Sequence, residues 1–279
     1  MNPISNTAYY CCGVRKLDAN MPDSLCNDHY AGRFMDEHGK KIFEPFRSET
    51  LSNLCCAVRC QIIDNMVRAV LHEDVNTSIV SLGCGFDSRP FRLQGGRWYE
   101  VDEAPLIDLK NDRMPISECP NPLMRIAINF SEESLIEKLA CIGKDQPILV
   151  IFEGVAMYLS RSVMSNTLQQ LKRLFPKHIL ITDLMTQKFA ELSKGTIYEK
   201  LSAIGAKVEP AMENPRRFFL DHDYIEHEYI AHFTHAAKTS ALWRWAKISR
   251  PFSWLMSNVI YRAVNDYGVH RFELDSCTL

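Results

Sequence analysis

The 279-residue chain has no excess of charge of one sign: 32 basic and 34 acidic side chains leave a formal net charge of −2. Such a balance sets up no strong field toward nucleic acid or an anionic lipid surface. No apolar run approaches the roughly 18 residues of a membrane span, and the N-terminus lacks a basic start followed by an apolar stretch. A cytoplasmic protein without stable membrane insertion and without nucleic acid as a partner is therefore expected. Ten cysteines are present, yet no Cys-x-x-Cys occurs, and Cys11-Cys12 and Cys55-Cys56 are adjacent pairs that rarely bridge to each other. Free, buried thiols are the expectation.

What the chain does have is concentrated at residues 78 to 102. The apolar run Ser78-Ile79-Val80-Ser81-Leu82 enters Gly83-Cys84-Gly85, and a second run, Trp98-Tyr99-Glu100-Val101, ends on Asp102. Glycines at a strand exit permit positive φ and let a ligand approach the backbone. An acid roughly 17 residues after the turn is placed to meet ribose hydroxyls. Asp102 is the candidate, with Glu100 behind it. Ser88 stands where a dinucleotide fingerprint has its third glycine, which favours a nucleoside lacking a pyrophosphate over NAD.

Strands are expected at 78–82, 98–101, 124–128, 147–152 and 179–183, with a closing strand over 269–274. Apolar positions Ile62, Ile63, Met66, Val67, Val70 and Leu71 recur at helical spacing between Ser52 and Leu71. Ser131, followed by Glu132 and Glu133, reads as the N-cap of a helix through Leu135, Leu139 and Ile142. Gly205 to Val208 is expected to precede a sixth strand, and 228–233 is left as strand or loop. Alternating strands and helices imply a doubly wound α/β sheet, in which ligands bind beyond the carboxyl ends of the strands. Gly85, Asp102, Asn129 and Glu153 all fall at such ends. The expected division is a single domain, 1–279, with a helical lid or substrate wall over 1–60, a cofactor-binding core over 61–185 and a substrate-shaping part over 186–279.

His222, His227, His232 and His235 lie among acids, but their spacing does not put the first three on one helix face, and no metal is expected. Residues 238–262 mix Trp243, Trp245, Phe252 and Trp254 with Lys238, Arg244, Lys247 and Arg250. Walls of an acceptor pocket or plain core are preferred there over an interfacial membrane helix.

Asn6-Thr7-Ala8 with Arg15, Asn27-Asp28-His29-Tyr30-Ala31, Arg59 with Asp64, Leu82 through Arg92, Glu100-Val101-Asp102 and Glu153 through Leu159 resemble, in order, the S-adenosylmethionine-dependent methyltransferases of the leucine carboxyl methyltransferase and tetracenomycin P type. The resemblance covers roughly residues 5 to 185. It implies a class I, Rossmann-like methyltransferase fold: seven strands, the last antiparallel. It further implies that S-adenosyl-L-methionine is the cofactor, with Arg59 gripping its methionine carboxylate, Gly83 and Gly85 passing under it, and Asp102 on its ribose. Asn129, where the family usually has an acid, and its neighbour Phe130 would meet the adenine. Glu153 would face the methionine end, and Tyr158 would line the methyl-transfer pocket. These two, with His29, are the possible catalytic groups. O-methylation of a carboxylate or hydroxyl of a small molecule is expected. The alternatives are a non-catalytic cofactor-binding protein, an N- or S-methyltransferase, or an NAD-dependent reductase.

Overall fold

A computed structural model describes residues 5–130, 132–143, 146–193, 195–239, 241–247 and 266–274. Three N-terminal helices come first: α1 (Asn6–Ala19), α2 (Glu37–Phe43) and α3 (Thr50–Glu73), with a 3-10 turn at His29–Phe34. There follow β1 (Ser78–Leu82), α4 (Arg89–Arg92), β2 (Arg97–Asp102), α5 (Ala104–Arg113), β3 (Leu123–Ala127), α6 (Leu135–Lys138), β4 (Ile148–Phe152), α7 (Arg161–Leu174) and β5 (Ile179–Met185). The rest holds α8 (Gln187–Ser193), α9 (Thr196–Ala203), α10 (Pro215–Leu220), β6 (Tyr224–Ala231), α11 (His232–Lys238), α12 (Ala241–Ala246) and β7 (Tyr267–Leu274).

The sheet order is β3-β2-β1-β4-β5-β7-β6. Neighbours among β1 to β5 run parallel, and β7 is antiparallel to both β5 and β6. This is the doubly wound, seven-stranded class I methyltransferase architecture expected from the sequence, with β1 and β4 flanking the point where the strand order reverses.

Side chains alternate across the sheet and feed two cores. Ile79, Leu149, Ile151 and Ile181 pack under α1, α3, α11 and α12. Val80, Leu82, Val150, Phe152, Leu180 and Leu184 pack under α6 and α7 on the other side. Both faces being covered, β1 and β4 are buried at every position, which is why each reads as a continuous apolar run.

Three expectations are corrected. β6 spans 224–231, and Gly205 to Val208 leads into no strand of its own. The strand hid because it is the sheet's edge: its pattern is mostly polar, and a register shift at Glu226/Glu228 breaks its alternation. The helix after β3 starts later than expected, with Ser134 at its N-cap; Ser131 lies outside the described residues. Residues 248–262 of the aromatic-basic segment also lie outside them. Among the described residues, no helix is long and apolar enough to cross a membrane.

Candidate functional site

A cleft of about 910 Å³ opens at the carboxyl ends of β1, β2 and β4, walled by α1, the start of α6 and the first turns of α7. Gly83, Gly85, Asp102, Phe130, Glu153, Tyr158 and Arg59 all line it, together with Cys11 and Arg15 of α1. Residues spread over more than a hundred positions thus meet because parallel strands deliver their ends to one edge.

The glycine turn forms the floor. Gly83 has φ +64° and Gly85 φ +47°, left-handed values that glycine adopts without strain. A Cβ on Gly83 would stand 2.6 Å from Val155 Cγ2, and one on Gly85 would stand 3.3 Å from Ala8 Cβ. Both Cβ positions are thus taken up by protein atoms, and the two glycines let the turn close on Val155 and Ala8. Asp102 closes it: its Oδ2 accepts from Gly85 N at 2.7 Å and its Oδ1 from Glu103 N at 2.8 Å. Burial pushes its carboxyl up to about 6, against those two N–H donors and Lys110, which pull it down. Each oxygen keeps lone-pair capacity for a ligand hydroxyl.

Glu100, expected behind Asp102, is occupied elsewhere. It bonds Lys110 Nζ at 2.5 Å and Arg125 Nε at 2.9 Å in a triad whose side chains are buried. It supports the strand and does not enter the cleft.

The end of the cleft around Arg59 and Glu153 is an arginine–carboxylate lattice. Arg59 donates through Nε to Glu153 Oε1 (3.0 Å) and through Nη1 to Asp183 Oδ2 (3.0 Å) and the Tyr267 hydroxyl (3.1 Å). Its Nη2 approaches Cys11 Sγ at 3.7 Å. Arg89 bonds Asp64 (2.6 Å), Asp87 (3.0 Å) and the second Glu153 oxygen (2.6 Å), and Arg92 bonds Asp64 (2.6 Å). Ser88, in the place of a third glycine, is fully buried; it donates to Asp28 Oδ1 at 2.6 Å and accepts from Arg92 at 2.8 Å. Asp28 in turn holds Arg15 at 2.8 Å. A glycine there would leave this chain of contacts open.

The lattice changes the roles expected of two residues. Burial would raise the Glu153 carboxyl, but Arg89 and Arg59 more than offset it and hold it below the usual carboxylate range. Both Glu153 oxygens are engaged by guanidinium groups. Tyr158 is pushed well up by burial, so its phenol stays protonated at neutral pH; it shares a hydrogen bond with Thr7 of α1. His29 is exposed and lies off the cleft.

Asn129 is exposed at the end of β3, its N–H donates to Glu133 Oε2 at 2.8 Å, and Phe130 and residues 132–136 line the cleft beside it. The four histidines do not gather. His222 meets Ser165 and the Phe218 carbonyl, His227 meets Glu273, His235 meets Gln61, and His232 is buried against the Tyr267 ring at 4.2 Å. Among the described residues, both His232 ring nitrogens lack a hydrogen-bond partner. Burial, with Arg59 next, keeps this imidazole neutral.

Sequence reasoning missed Asp183, Tyr267, Cys11 and Arg89. Asp183 carried a signal, since it ends an apolar run exactly as Asp102 does. Tyr267 carried none, being 208 positions from the arginine it bonds.

Residues 9–172, more than half of the chain, match the leucine carboxyl methyltransferase family. The chain is 25% identical over 174 residues to the S-adenosyl-L-methionine-dependent methyltransferase dpfgK of Gibberella zeae, covering 58% of each chain. It is 24% identical over 212 residues to the tetracenomycin polyketide synthesis O-methyltransferase TcmP of Streptomyces glaucescens, covering 73% of each. The matched stretch thus spans somewhat over half of the first relative and nearly three quarters of the second. A crystal structure of a DUF574 family protein from Streptomyces avermitilis superposes with a TM-score of 0.61 at 10% identity, covering 95% of this chain and 97% of that one. With its class I fold and its glycine floor at the switch point, the chain belongs to the leucine carboxyl methyltransferase family, a family of S-adenosylmethionine-dependent methyltransferases.

Proposed function

We propose that the protein transfers a methyl group from S-adenosylmethionine to an oxygen of a small molecule, and that the oxygen belongs to a carboxylate. The donor supplies a methyl already activated by sulfonium charge. The chain's own task is to hold the acceptor oxygen in line, about 3 to 3.5 Å from the methyl carbon. The glycine turn and Asp102 suit the nucleoside, and Arg59, whose Nη2 approaches Cys11 in the cleft wall, suits the methionine carboxylate.

The observation that carries the carboxylate reading is the state of the acids and phenol around the methionine end. Glu153 and Asp183 are both bound by Arg59, Asp183 also accepts from Gly154 N and the Tyr267 hydroxyl, and the Tyr158 phenol stays protonated. A carboxylate acceptor is ionised at neutral pH and asks for no base. A second cavity of about 460 Å³ adjoins the cleft through Leu159 and Ser160, lined by Met157, Met164, Met185 and Met212 and by the 208–215 segment. Soft, unbranched side chains there suit an apolar acceptor body of irregular shape.

A hydroxyl acceptor is the second reading. It requires a base, and the neutral His232 is buried behind the Tyr267 ring and lines neither cavity, which counts against it in that role. The test incubates the protein with methyl-labelled S-adenosylmethionine and a small-molecule extract, then treats the labelled product with mild alkali. Label released as methanol supports an ester and hence the carboxylate. Alkali-stable label on oxygen supports the hydroxyl. Tight binding of S-adenosylhomocysteine without transfer to any extract overturns methylation and leaves a cofactor-binding protein.

A further inference from the structure

We propose that Tyr267 is a positioning residue: with Asp183 it clamps the Arg59 guanidinium at the angle that receives the methionine carboxylate of the cofactor. This deepens, and rests on, the reading of Arg59 given above.

Sheet topology brings the clamp together. β7 runs antiparallel to β5 with Tyr267 opposite Met185, so Tyr267 lies diagonally across from Asp183 on the same face of the sheet. α3 packs on that face against β7 and brings Arg59 to both residues. Arg59 Nη1 donates to Asp183 Oδ2 at 3.0 Å and to the Tyr267 hydroxyl at 3.1 Å, and the hydroxyl donates to the same Asp183 oxygen at 2.9 Å. The three atoms close a triangle. Asp183 Oδ1 accepts from Gly154 N at 2.6 Å, so the carboxylate is held at both oxygens. Asp183 lines the second cavity, whereas Arg59 and Gly154 line the cleft, and the clamp thus stands at the partition between them.

Of the three side chains, Tyr267 is the rigid one. Its buried ring stands edge-on to His232 at 4.2 Å and against Phe189 at 5.2 Å between centroids, which fixes where the hydroxyl sits. An arginine has a long stem with many rotamers, and its guanidinium takes its orientation from what it bonds. Turning Nη1 away here breaks two contacts at once. With Glu153 on Nε, and Asp183 and Tyr267 on Nη1, the group that remains is Nη2, 3.7 Å from Cys11 Sγ in the cleft wall.

The hydroxyl has an electrostatic part as well. Arg59 already faces two carboxylates, Glu153 and Asp183, and a third is drawn to it only where those two have other donors. Glu153 has Arg89, and Asp183 has Gly154 N and Tyr267. Without the phenol, Arg59 alone among the described residues serves Asp183 Oδ2, and the guanidinium is drawn toward β5.

The test compares S-adenosylhomocysteine with methylthioadenosine, which has the same nucleoside and sulfur but no amino-acid end. Calorimetry on the full chain at neutral pH should find the first tighter by at least about tenfold, the worth of one hydrogen bond to a charged group. Tyr267→Phe removes only the hydroxyl. It should weaken S-adenosylhomocysteine by about tenfold and methylthioadenosine by less than about twofold. A tyrosine that merely supports the fold would weaken both alike, and that result, or two unchanged affinities, overturns the proposal. Because the effect passes through Arg59, Tyr267→Phe should add less than about twofold in an Arg59→Lys background, and a further tenfold loss there overturns it too. Asp183→Asn keeps the shape of the clamp and takes an acceptor from it; the same selective loss is expected, so the clamp is still judged should Tyr267→Phe fail to fold. A parent protein that binds the two ligands equally refutes the carboxylate reading of Arg59 itself, and the positioning role falls with it.

Discussion

Replacing Asp102 by Asn tests the cofactor floor most directly, because its carboxylate does two opposing things. Burial raises its pKa to about 6 in the ligand-free protein, from about 3.9 in an unfolded chain. The native state therefore holds a proton that the unfolded state has lost between about pH 4 and 6, and this group lowers stability as pH rises through that window, by about 3 kcal/mol in full. Asn removes that cost but leaves Gly85 N or Glu103 N facing an amide without its acceptor, a loss of about 1 to 3 kcal/mol. The two nearly cancel, so the fold should survive within about 2 kcal/mol. Binding has no such cancellation. Two ribose hydroxyls donating to an ionised acid are replaced by contacts to a neutral amide, a loss of about 3 kcal/mol or roughly a hundredfold in Kd. In the protein with Asp102 intact, affinity should also weaken by about tenfold per pH unit below 6. Cys11 titrates in the same window with the opposite sign, since its thiolate competes at Arg59 above about 6. The comparison is therefore made in a Cys11→Ser background, by calorimetry with S-adenosylhomocysteine from pH 5 to 8. A loss of less than about fivefold in Asp102→Asn, or a pH break near 6 that persists without the acid, refutes the reasoning.

Arg59→Ala strips the cation from buried Glu153 and Asp183 and should cost about 3 to 5 kcal/mol in urea unfolding; a cost below about 1 kcal/mol would show that the lattice does not depend on it. Gly83→Ala combines φ +64° with a 2.6 Å clash on Val155, so thermal unfolding should show about 1 to 3 kcal/mol lost. Adding Val155→Ala should restore only part of this, because the backbone strain remains; full restoration would mean the clash was the whole effect. His178, bonded to the Phe175 carbonyl and the Tyr224 hydroxyl, is lowered by burial to about 4. Its contribution is complete above about pH 6.5 and is lost as pH falls toward 4, by up to about 3 kcal/mol. Urea midpoints of the parent and His178→Gln should converge over that range, and a constant gap would remove His178 as an acid-sensitive group.

The parallel half of the sheet was legible because double burial writes each of β1 and β4 as an unbroken apolar run, and the turn after β1 carries two glycines at left-handed positions. Arg59, Asp102 and Glu153 could be singled out for similar reasons: each is a charge set in or beside an apolar stretch. Their partners were not legible. Glu100 and Asp102 look equivalent on one strand, yet Glu100 is consumed by Lys110 and Arg125, which only the packing of α5 and β3 brings near. Asn129 stands at a strand end, but the chain turns there and presents Phe130 to the cleft. β6 stayed hidden because an edge strand in water needs polar side chains, and Glu226, His227 and Glu228 look like a loop until β7 is laid beside them.

The arginine lattice has a consequence for how the chain comes to exist. Its contacts reach from Arg15 through Arg59 to Asp183 and Tyr267, so two of the groups that Arg59 bonds lie far along the chain. While the first 172 residues are being synthesised, Arg59 has neither Asp183 nor Tyr267 to meet, and the slot it occupies lacks its far wall. The stretch shared with the family is thus the part that names the chain but not a part that can finish folding alone. A fragment ending at residue 172 should remain expanded, and the cleft should close only when β7 slides between β5 and β6.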